Sequence, residues 1–71
     1  MNGYDQRLLQ TLSVIREHIA AYGYPPSIYE VAAVRGYAPC TAKRHIRELE
    51  ARGLLERDNG RRRAIRVVEH A

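Results

Sequence analysis

Apolar residues recur every three or four positions over the first third of the chain, which is the spacing of one face of an α-helix. The residues in this stripe are Leu8, Leu12, Ile15 and Ile19, with Leu9 and Ala20 widening it. Asp5 is a candidate N-cap, and Gly23 stands where a glycine would end the helix, so we predict a helix over residues 5–22. Tyr24-Pro25-Pro26 then interrupts the helix, because each proline restricts the residue before it to extended backbone.

A second, shorter helix is predicted over residues 28–35. Ser27 and Glu30 have the spacing of a capping box, in which each side chain bonds the backbone N–H of the other residue. Gly36 is placed to end this helix. Its expected core contacts are Val31 and Val34, with Ala32 allowing another helix to approach closely.

The third predicted helix has the clearest division into an apolar and a basic face. It begins at Pro39, a residue that suits the first helical position, and runs to about Arg52 before a stop at Gly53. Its apolar face holds Ala42, Ile46 and Leu49. The other face holds Cys40, Lys43, Arg44, Arg47 and Ala51.

The last third of the chain changes to the alternating pattern of β-strands. Two short strand candidates, residues 54–57 and 64–68, flank Asp58-Asn59-Gly60, and Asn-Gly tolerates the positive φ of a tight hairpin. The order helix, helix, tight turn, helix, β-hairpin is that of a winged helix-turn-helix. We therefore predict a mainly α fold with a two-stranded wing, formed by residues 1–71 as a single domain.

Composition excludes several classes of protein. At 71 residues and 45% hydrophobic, the chain has the size and balance of one small globular domain, and no apolar run approaches the length that spans a bilayer. Cys40 is the single cysteine, and no leader sequence is visible, so we expect a cytoplasmic protein that associates with the nucleoid when it binds DNA. The serines, histidines and carboxylates show neither catalytic nor metal-ligand spacing. We therefore expect no enzymatic activity, metal, other cofactor or small-molecule ligand.

Positive charge is concentrated in the second half of the chain. Residues 1–42 are neutral overall, whereas residues 43–66 hold nine basic and four acidic residues, a balance of +5 that Glu69 reduces to the net charge of +4. Eleven of the twelve basic residues are arginines, the side chain suited to bidentate contacts with phosphate and guanine. This distribution favours double-stranded DNA as the partner, against the alternative of a basic surface that serves only solubility.

The sequence also resembles a known family. Residues 23–32, with the Gly-x-Pro-Pro-Ser segment, and residues 15–19 before them resemble the N-terminal DNA-binding domain of the LexA repressor family. Residues 45–55 look like the family's third helix and its exit, and residues 63–65 look like its final strand. The resemblance covers nearly the whole chain. It implies binding to operator DNA as one half of a dimer, and hence a possible homodimer on a palindromic site.

The same resemblance implies a set of DNA-contacting residues. Base edges would be read from the start of the third helix by Cys40, Thr41, Lys43 and Arg44, with Arg47 one turn further on. Ser27 and Tyr29, at the start of the second helix, would approach the DNA backbone. The predicted set is completed by Arg52 and by the wing residues Asn59, Arg61, Arg62 and Arg63, whose arginines would reach a minor groove or phosphates.

Three departures from the family pattern are visible. The turn between Gly36 and Thr41 is one residue shorter than is common, and Arg35 stands where a leucine usually precedes the glycine. The base-reading positions differ as well, so the family's operator sequence does not transfer. LexA repressors also continue into a self-cleaving, dimerising domain with a serine–lysine dyad, so we expect either a stand-alone relative or an excised domain.

The sequence-based prediction is therefore a sequence-specific double-stranded DNA-binding protein that acts as a transcriptional repressor. Two alternatives remain open. The basic face could dock an acidic protein partner, such as a regulator or RNA polymerase. The chain could also be a DNA-binding accessory factor in recombination or replication.

Overall fold

Three helices precede a two-stranded antiparallel sheet in the computed structural model, which describes residues 3–57 and 65–68. The elements are α1 (Gly3–Tyr22), α2 (Ile28–Arg35), α3 (Pro39–Ala51), β1 (Leu55–Arg57) and β2 (Ile65–Val67). In the sheet, Leu55 pairs with Val67 and Glu56 with Arg66. This architecture confirms the predicted winged helix-turn-helix. The predicted turn at residues 58–60 lies outside the described residues.

Helix α1 differs from its prediction at its start and along its apolar stripe. It begins at Gly3, so Asp5 lies within the first turn rather than at the N-cap, and its carboxylate instead accepts a 2.9 Å hydrogen bond from Arg52. The buried residues of α1 are Leu8, Thr11, Leu12 and Ile15. Leu9 and Ala20 are exposed, and the prediction that they widen the stripe is wrong. The stripe widens on its opposite side, through Thr11, because that is the side on which α3 packs.

Helix α2 is delimited by the two signals that the sequence carries. The N–H of Glu30 donates to Ser27 Oγ at 3.1 Å, and the N–H of Ser27 donates to Glu30 Oε1 at 2.9 Å, so the predicted capping box is confirmed. Hydrogen bonds to the Glu30 carboxylate from the Ser27 backbone N–H and, next in weight, from the Ser27 side chain hold the pKa of that carboxyl below its ordinary value. At the other end Gly36 adopts φ 73°, a conformation that costs glycine little.

The buried face of α2 differs from the prediction at one position. Val31 is fully buried and Ala32 nearly so, but Val34 is 70% exposed. At 100° per residue, the side of α2 that carries Val31 and Ala32 also carries Arg35, and Val34 lies outside it. The prediction of Val34 as a core residue is therefore wrong, and half-buried Arg35 occupies that side of the helix end instead.

The hydrophobic core lies where α3 crosses α1 and α2, with β1 closing one side. Its buried members are Leu8, Leu12, Ile15, Val31, Ala32, Ala42, Ile46, Leu49 and Leu55. Ile46 and Leu49 are 1% and 0% exposed, and burial of such a side chain contributes about 1.5–3 kcal/mol. The apolar face predicted for α3 is therefore confirmed, and it fixes which face of that helix points outward.

Candidate nucleic-acid interface

The outward face of α3 carries most of the residues predicted to read bases. Cys40, Lys43, Arg44 and Arg47 are all exposed. At 100° per residue they fall within an arc of about 100°, opposite the arc of Ala42, Ile46 and Leu49. Thr41 lies at the edge of this exposed arc and is half-buried. We call the arc formed by Cys40, Lys43, Arg44 and Arg47 the outer face of α3.

The start of α2 lies beside the start of α3. A surface cleft of about 440 Å³ is bordered by residues from both helix starts and from β2. Its lining residues are Pro26, Ser27, Ile28, Tyr29, Pro39, Cys40, Lys43 and Ile65. Four predicted site residues, Ser27, Tyr29, Cys40 and Lys43, are thus brought to one surface although up to sixteen positions separate them in the sequence.

The Ser27 hydroxyl borders the cleft and takes part in the cap of α2, where it bonds the Glu30 N–H and the Glu30 carboxylate. Its Oγ accepts from the Glu30 N–H, and a serine hydroxyl also carries an O–H that can donate. Tyr29 follows on the first turn of α2 and is 68% exposed. The exposed Tyr29 hydroxyl can therefore donate a hydrogen bond at the cleft, which is the chemistry of a phosphate contact.

Among the described residues, carboxylates do not neutralise the cations of the outer face. Within residues 3–57 and 65–68, none of Lys43, Arg44 and Arg47 forms an ion pair. Because an ion pair would have to be broken before a phosphate or base could bind, this arrangement leaves three cationic donors available to a polyanion.

The opposite end of α3 is arranged differently. Arg52 caps the helix about 18 Å along the axis from Cys40. Its guanidinium donates to Asp5 Oδ1 at 2.9 Å and to Glu48 Oε2 at 3.0 Å, and these bonds raise the pKa of Arg52. The structure therefore does not bring Arg52 together with the outer face. Its predicted DNA contact stays a prediction.

Sequence reasoning missed a buried polar pair behind the outer face. Thr11 Oγ1 and His45 Nδ1 lie 3.1 Å apart, and the two residues are 0% and 4% exposed. Burial, followed by the charges of Arg35, Arg7 and Arg44, lowers the pKa of His45. The signal was present in the sequence, because each residue sits within the apolar stripe of its helix, Thr11 between Leu8 and Ile15 and His45 between Ala42 and Leu49.

A second missed contact supports the turn between α2 and α3. The guanidinium of Arg35 donates to Gln10 Oε1 at 2.9 Å and to the Tyr37 hydroxyl at 2.7 Å, and it stacks over the Tyr37 ring at 4.9 Å. Arg35 thereby ties α1 to the turn that precedes α3. Arg35, which stands where a leucine is usual in the family, thus stabilises the turn before α3.

Some predicted features lie beyond what the structure describes. Asn59, Arg61, Arg62 and Arg63 are outside the described residues, so their DNA contacts stay predictions. In the described part of the chain, no group of three or more His, Cys, Asp or Glu residues could hold a metal ion. Among the same residues, none of the helices combines the length and apolar character that crossing a membrane requires.

Comparison with known proteins identifies the family. The family described as LexA DNA binding domain matches residues 1–64. This chain belongs to that family. Its relatives confirm the resemblance seen in the sequence, since LexA repressors match almost the whole chain at 37–40% identity.

Three relatives from different organisms show how much of a LexA repressor this chain represents. The LexA repressor of Bacillus pumilus (strain SAFR-032) is 37% identical over 70 residues, which cover 97% of this chain and 34% of the relative. That of Thermotoga petrophila is 40% identical over 67 residues, covering 94% and 34%. That of Mycobacterium leprae (strain Br4923) is 40% identical over 67 residues, covering 93% and 28%. The chain thus spans about a third of the length of these LexA repressors.

Proposed function

We propose that this LexA-type domain binds double-stranded DNA sequence-specifically and acts as a transcriptional repressor. The observation that carries the proposal is the convergence of Ser27, Tyr29, Cys40 and Lys43 on one surface, continuous with the outer face of α3. A helix presented in this way fits the major groove, which is about 12 Å wide. Membership of the LexA DNA-binding domain family supports the same partner.

The roles of the individual residues follow from their chemistry. Lys43 and Arg44 are proposed to read base edges, with Cys40 and Thr41 contacting bases beside them, since arginine and lysine bind guanine O6 and N7. Arg47, one turn further along, would reach a phosphate. Ser27 and Tyr29 would bind the DNA backbone through their hydroxyls and fix the orientation of the domain.

The wing residues Arg61, Arg62 and Arg63 are proposed to neutralise phosphates or enter the adjacent minor groove, with Asn59 beside them. One recognition helix covers only half of a typical operator. We therefore infer that two copies bind a palindromic site whose half-sites lie about one helical turn apart or a multiple of it.

Selection from a random duplex pool with the purified chain tests this proposal. The expected result is enrichment of a defined sequence, and a palindromic consensus would show that two copies bind together. Affinity for the selected duplex should fall steeply with salt, because bound phosphates release their counterions.

The outcomes of this experiment also separate the proposal from its alternatives. No enrichment, with weak and salt-insensitive binding to every duplex, would contradict DNA binding and favour docking of an acidic protein on the outer face of α3. Enrichment without repression of a promoter that carries the selected site would favour an accessory role in recombination or replication.

A further inference from the structure

The Thr11–His45 pair occupies an unusual place in the fold. Thr11 and His45 are the polar side chains that the structure buries in residues 3–57 and 65–68, and their 3.1 Å contact joins α1 to α3 across the core. His45 is the immediate neighbour of Arg44, whose side chain points outward. The pair therefore links the buried scaffold to the helix that carries the proposed base-reading residues.

A hydrogen bond at this place constrains α3 in a way that apolar packing does not. Apolar contacts have little directionality, whereas a buried polar pair selects one register, because any other leaves polar atoms unsatisfied. For a helix roughly 10–12 Å across, a rotation of about 20° moves surface atoms by about 2 Å. That displacement exceeds what a direct hydrogen bond to a base edge tolerates.

The surroundings of His45 favour its neutral ring. Tyr4 and Tyr37 pack edge-on against it, with ring centroids 5.9 Å and 5.1 Å away. Cations face it from all three helices: Arg7 on α1, Arg35 on α2 and Arg44 on α3. The two carboxylates of the neighbouring network, Asp5 and Glu48, are both paired with Arg52. A proton on His45 would thus add buried positive charge among like charges.

We propose that the Thr11–His45 pair positions the outer face of α3 for base reading, and that protonation of His45 weakens this sequence discrimination. The inference rests on the proposed function and adds a regulatory property to it. His45 touches no DNA in this scheme. It is a positioning residue that acts through Lys43 and Arg44.

The decisive measurement is the ratio of affinities for the selected duplex and for a random duplex, followed from about pH 8 into acid for as long as the chain stays folded, because the lowered pKa of His45 places its protonation below the ordinary range of histidine. We expect this ratio to fall by about tenfold on acidification, the equivalent of one lost base contact. Affinity for the random duplex should hold or rise, because added positive charge attracts phosphates. NMR spectra at each pH establish that the chain stays folded.

Matched variants separate this inference from a general effect of acid. In His45→Asn the side-chain amide lies near the position of Nδ1 and does not titrate, so the ratio should become flat with pH. Thr11→Val removes the hydroxyl at nearly constant volume and should lower the ratio at every pH, whereas Thr11→Ser should restore it. A wild-type pH profile in His45→Asn would overturn the proposal.

A measurement without DNA distinguishes failure of this inference from failure of the proposed function. The His45 ring and the backbone amides of residues 43–47 are followed by NMR through the same pH range. The inference predicts that these amides shift together with the ring titration. Amides that do not respond would overturn it, even if the chain binds its operator. If no duplex is bound but the amides respond, DNA binding fails while the coupling of His45 to α3 stands.

Discussion

The arginines at the two ends of α3 lie in different electrostatic surroundings. Over the first three turns, Arg44 and Arg47 are exposed and form no ion pair within the described parts of the chain. At the last turn, Arg52 is held by Asp5 from α1 and by Glu48 from its own helix. The comparison shows that a count of arginines overstates the charge offered to DNA, because carboxylates neutralise some of them locally.

The difference arises from what faces each end of the helix. The C-terminal end of α3 lies against the start of α1, where Asp5 is available, and Glu48 is one turn before Arg52 on the same helix. The N-terminal end lies against the start of α2, where the Glu30 carboxylate is occupied by the backbone of Ser27. The capping box thus keeps the Glu30 carboxylate bonded to the backbone of its own helix start.

The largest expected effect is a loss of folding stability from a substitution in the core, on which both ends of α3 rest. Leu49 is fully buried beneath α3, and Leu49→Ala should destabilise the domain by about 2–5 kcal/mol. In a domain of this size such a loss approaches the whole stability, so DNA binding should fall with the folded fraction. Chemical denaturation monitored by circular dichroism measures it. Leu9→Ala, at a residue 41% exposed on α1, is the control and should cost clearly less. Equal losses would mean that α3 does not rest on this core.

A second prediction concerns the N-terminal end alone. Arg44→Ala should weaken binding to the selected duplex by about 1–3 kcal/mol and relax specificity at one base position. Folding stability should stay within about 0.5 kcal/mol of wild type, because the side chain is exposed. Titration of the selected duplex and of single-base variants measures both affinity and specificity.

Replacement of one arginine in residues 61–63 by alanine is the matched comparison for Arg44→Ala. That change should weaken binding to all duplexes alike, and the slope of log affinity against log salt concentration should fall by about one. If Arg44→Ala behaved in the same way, Arg44 would be a phosphate contact rather than a base reader.

Local features of the fold were predictable from the sequence. The capping box at Ser27, the stop at Gly36 and the buried face of α3 each depend on residues within a few positions of one another, and all three are confirmed. The errors concern packing between distant segments. The apolar stripe of α1 could be widened by Leu9 on one side or by Thr11 on the other, and the position of α3 decides between them. In α2, eight residues are too few for the spacing of apolar positions to show whether Val34 is buried.

In the candidate site, too, local features were predictable from the sequence and contacts between distant segments were not. The outer face of α3 follows from helical spacing and charge, so its four residues were predictable. That Ser27 and Tyr29 share a cleft with Cys40 was implied only by the family resemblance, because it depends on how two helices cross. The pairing of Arg52 with Asp5 joins residues 47 positions apart, and helical periodicity within a single element carries no information about such a pair.

A third, smaller effect is expected at the start of α2, which has a side-chain cap where the start of α3 has none. Ser27→Ala should cost about 0.5–2 kcal/mol of stability, since the Glu30 N–H loses its acceptor. Because the pKa of Glu30 is lowered from 4.5 in the folded chain, the capping contribution is complete above pH 4.5 and is lost as the pH falls through the lowered value. The backbone N–H of residue 27 bonds this carboxylate in wild type and variant alike, so the gap between them should narrow in acid only by the part that the Ser27 side chain contributes.

Thermal unfolding measured above pH 4.5 and again in acid tests the cap prediction. Ser13→Ala, at an exposed position inside α1, is the control and should be neutral or slightly stabilising, since alanine is the better helix former. A gap that stayed constant into strong acid would show that the Ser27 side chain does not stabilise the Glu30 carboxylate.

The smallest effect, and the sharpest test of the comparison between the two ends, is expected for Arg52→Ala. Its ion pairs with Asp5 and Glu48 are partly exposed, and such pairs contribute little and are screened by salt. The variant should lose less stability than Ser27→Ala, and the difference from wild type should shrink in high salt. Base preference should be unchanged, because Arg52 lies about 18 Å along α3 from Cys40.

Thermal unfolding at low and high salt, together with titrations of the same single-base duplexes used for Arg44→Ala, measures both properties. Relaxed specificity in Arg52→Ala would restore Arg52 as a DNA contact and would show that the two ends of α3 act on DNA together.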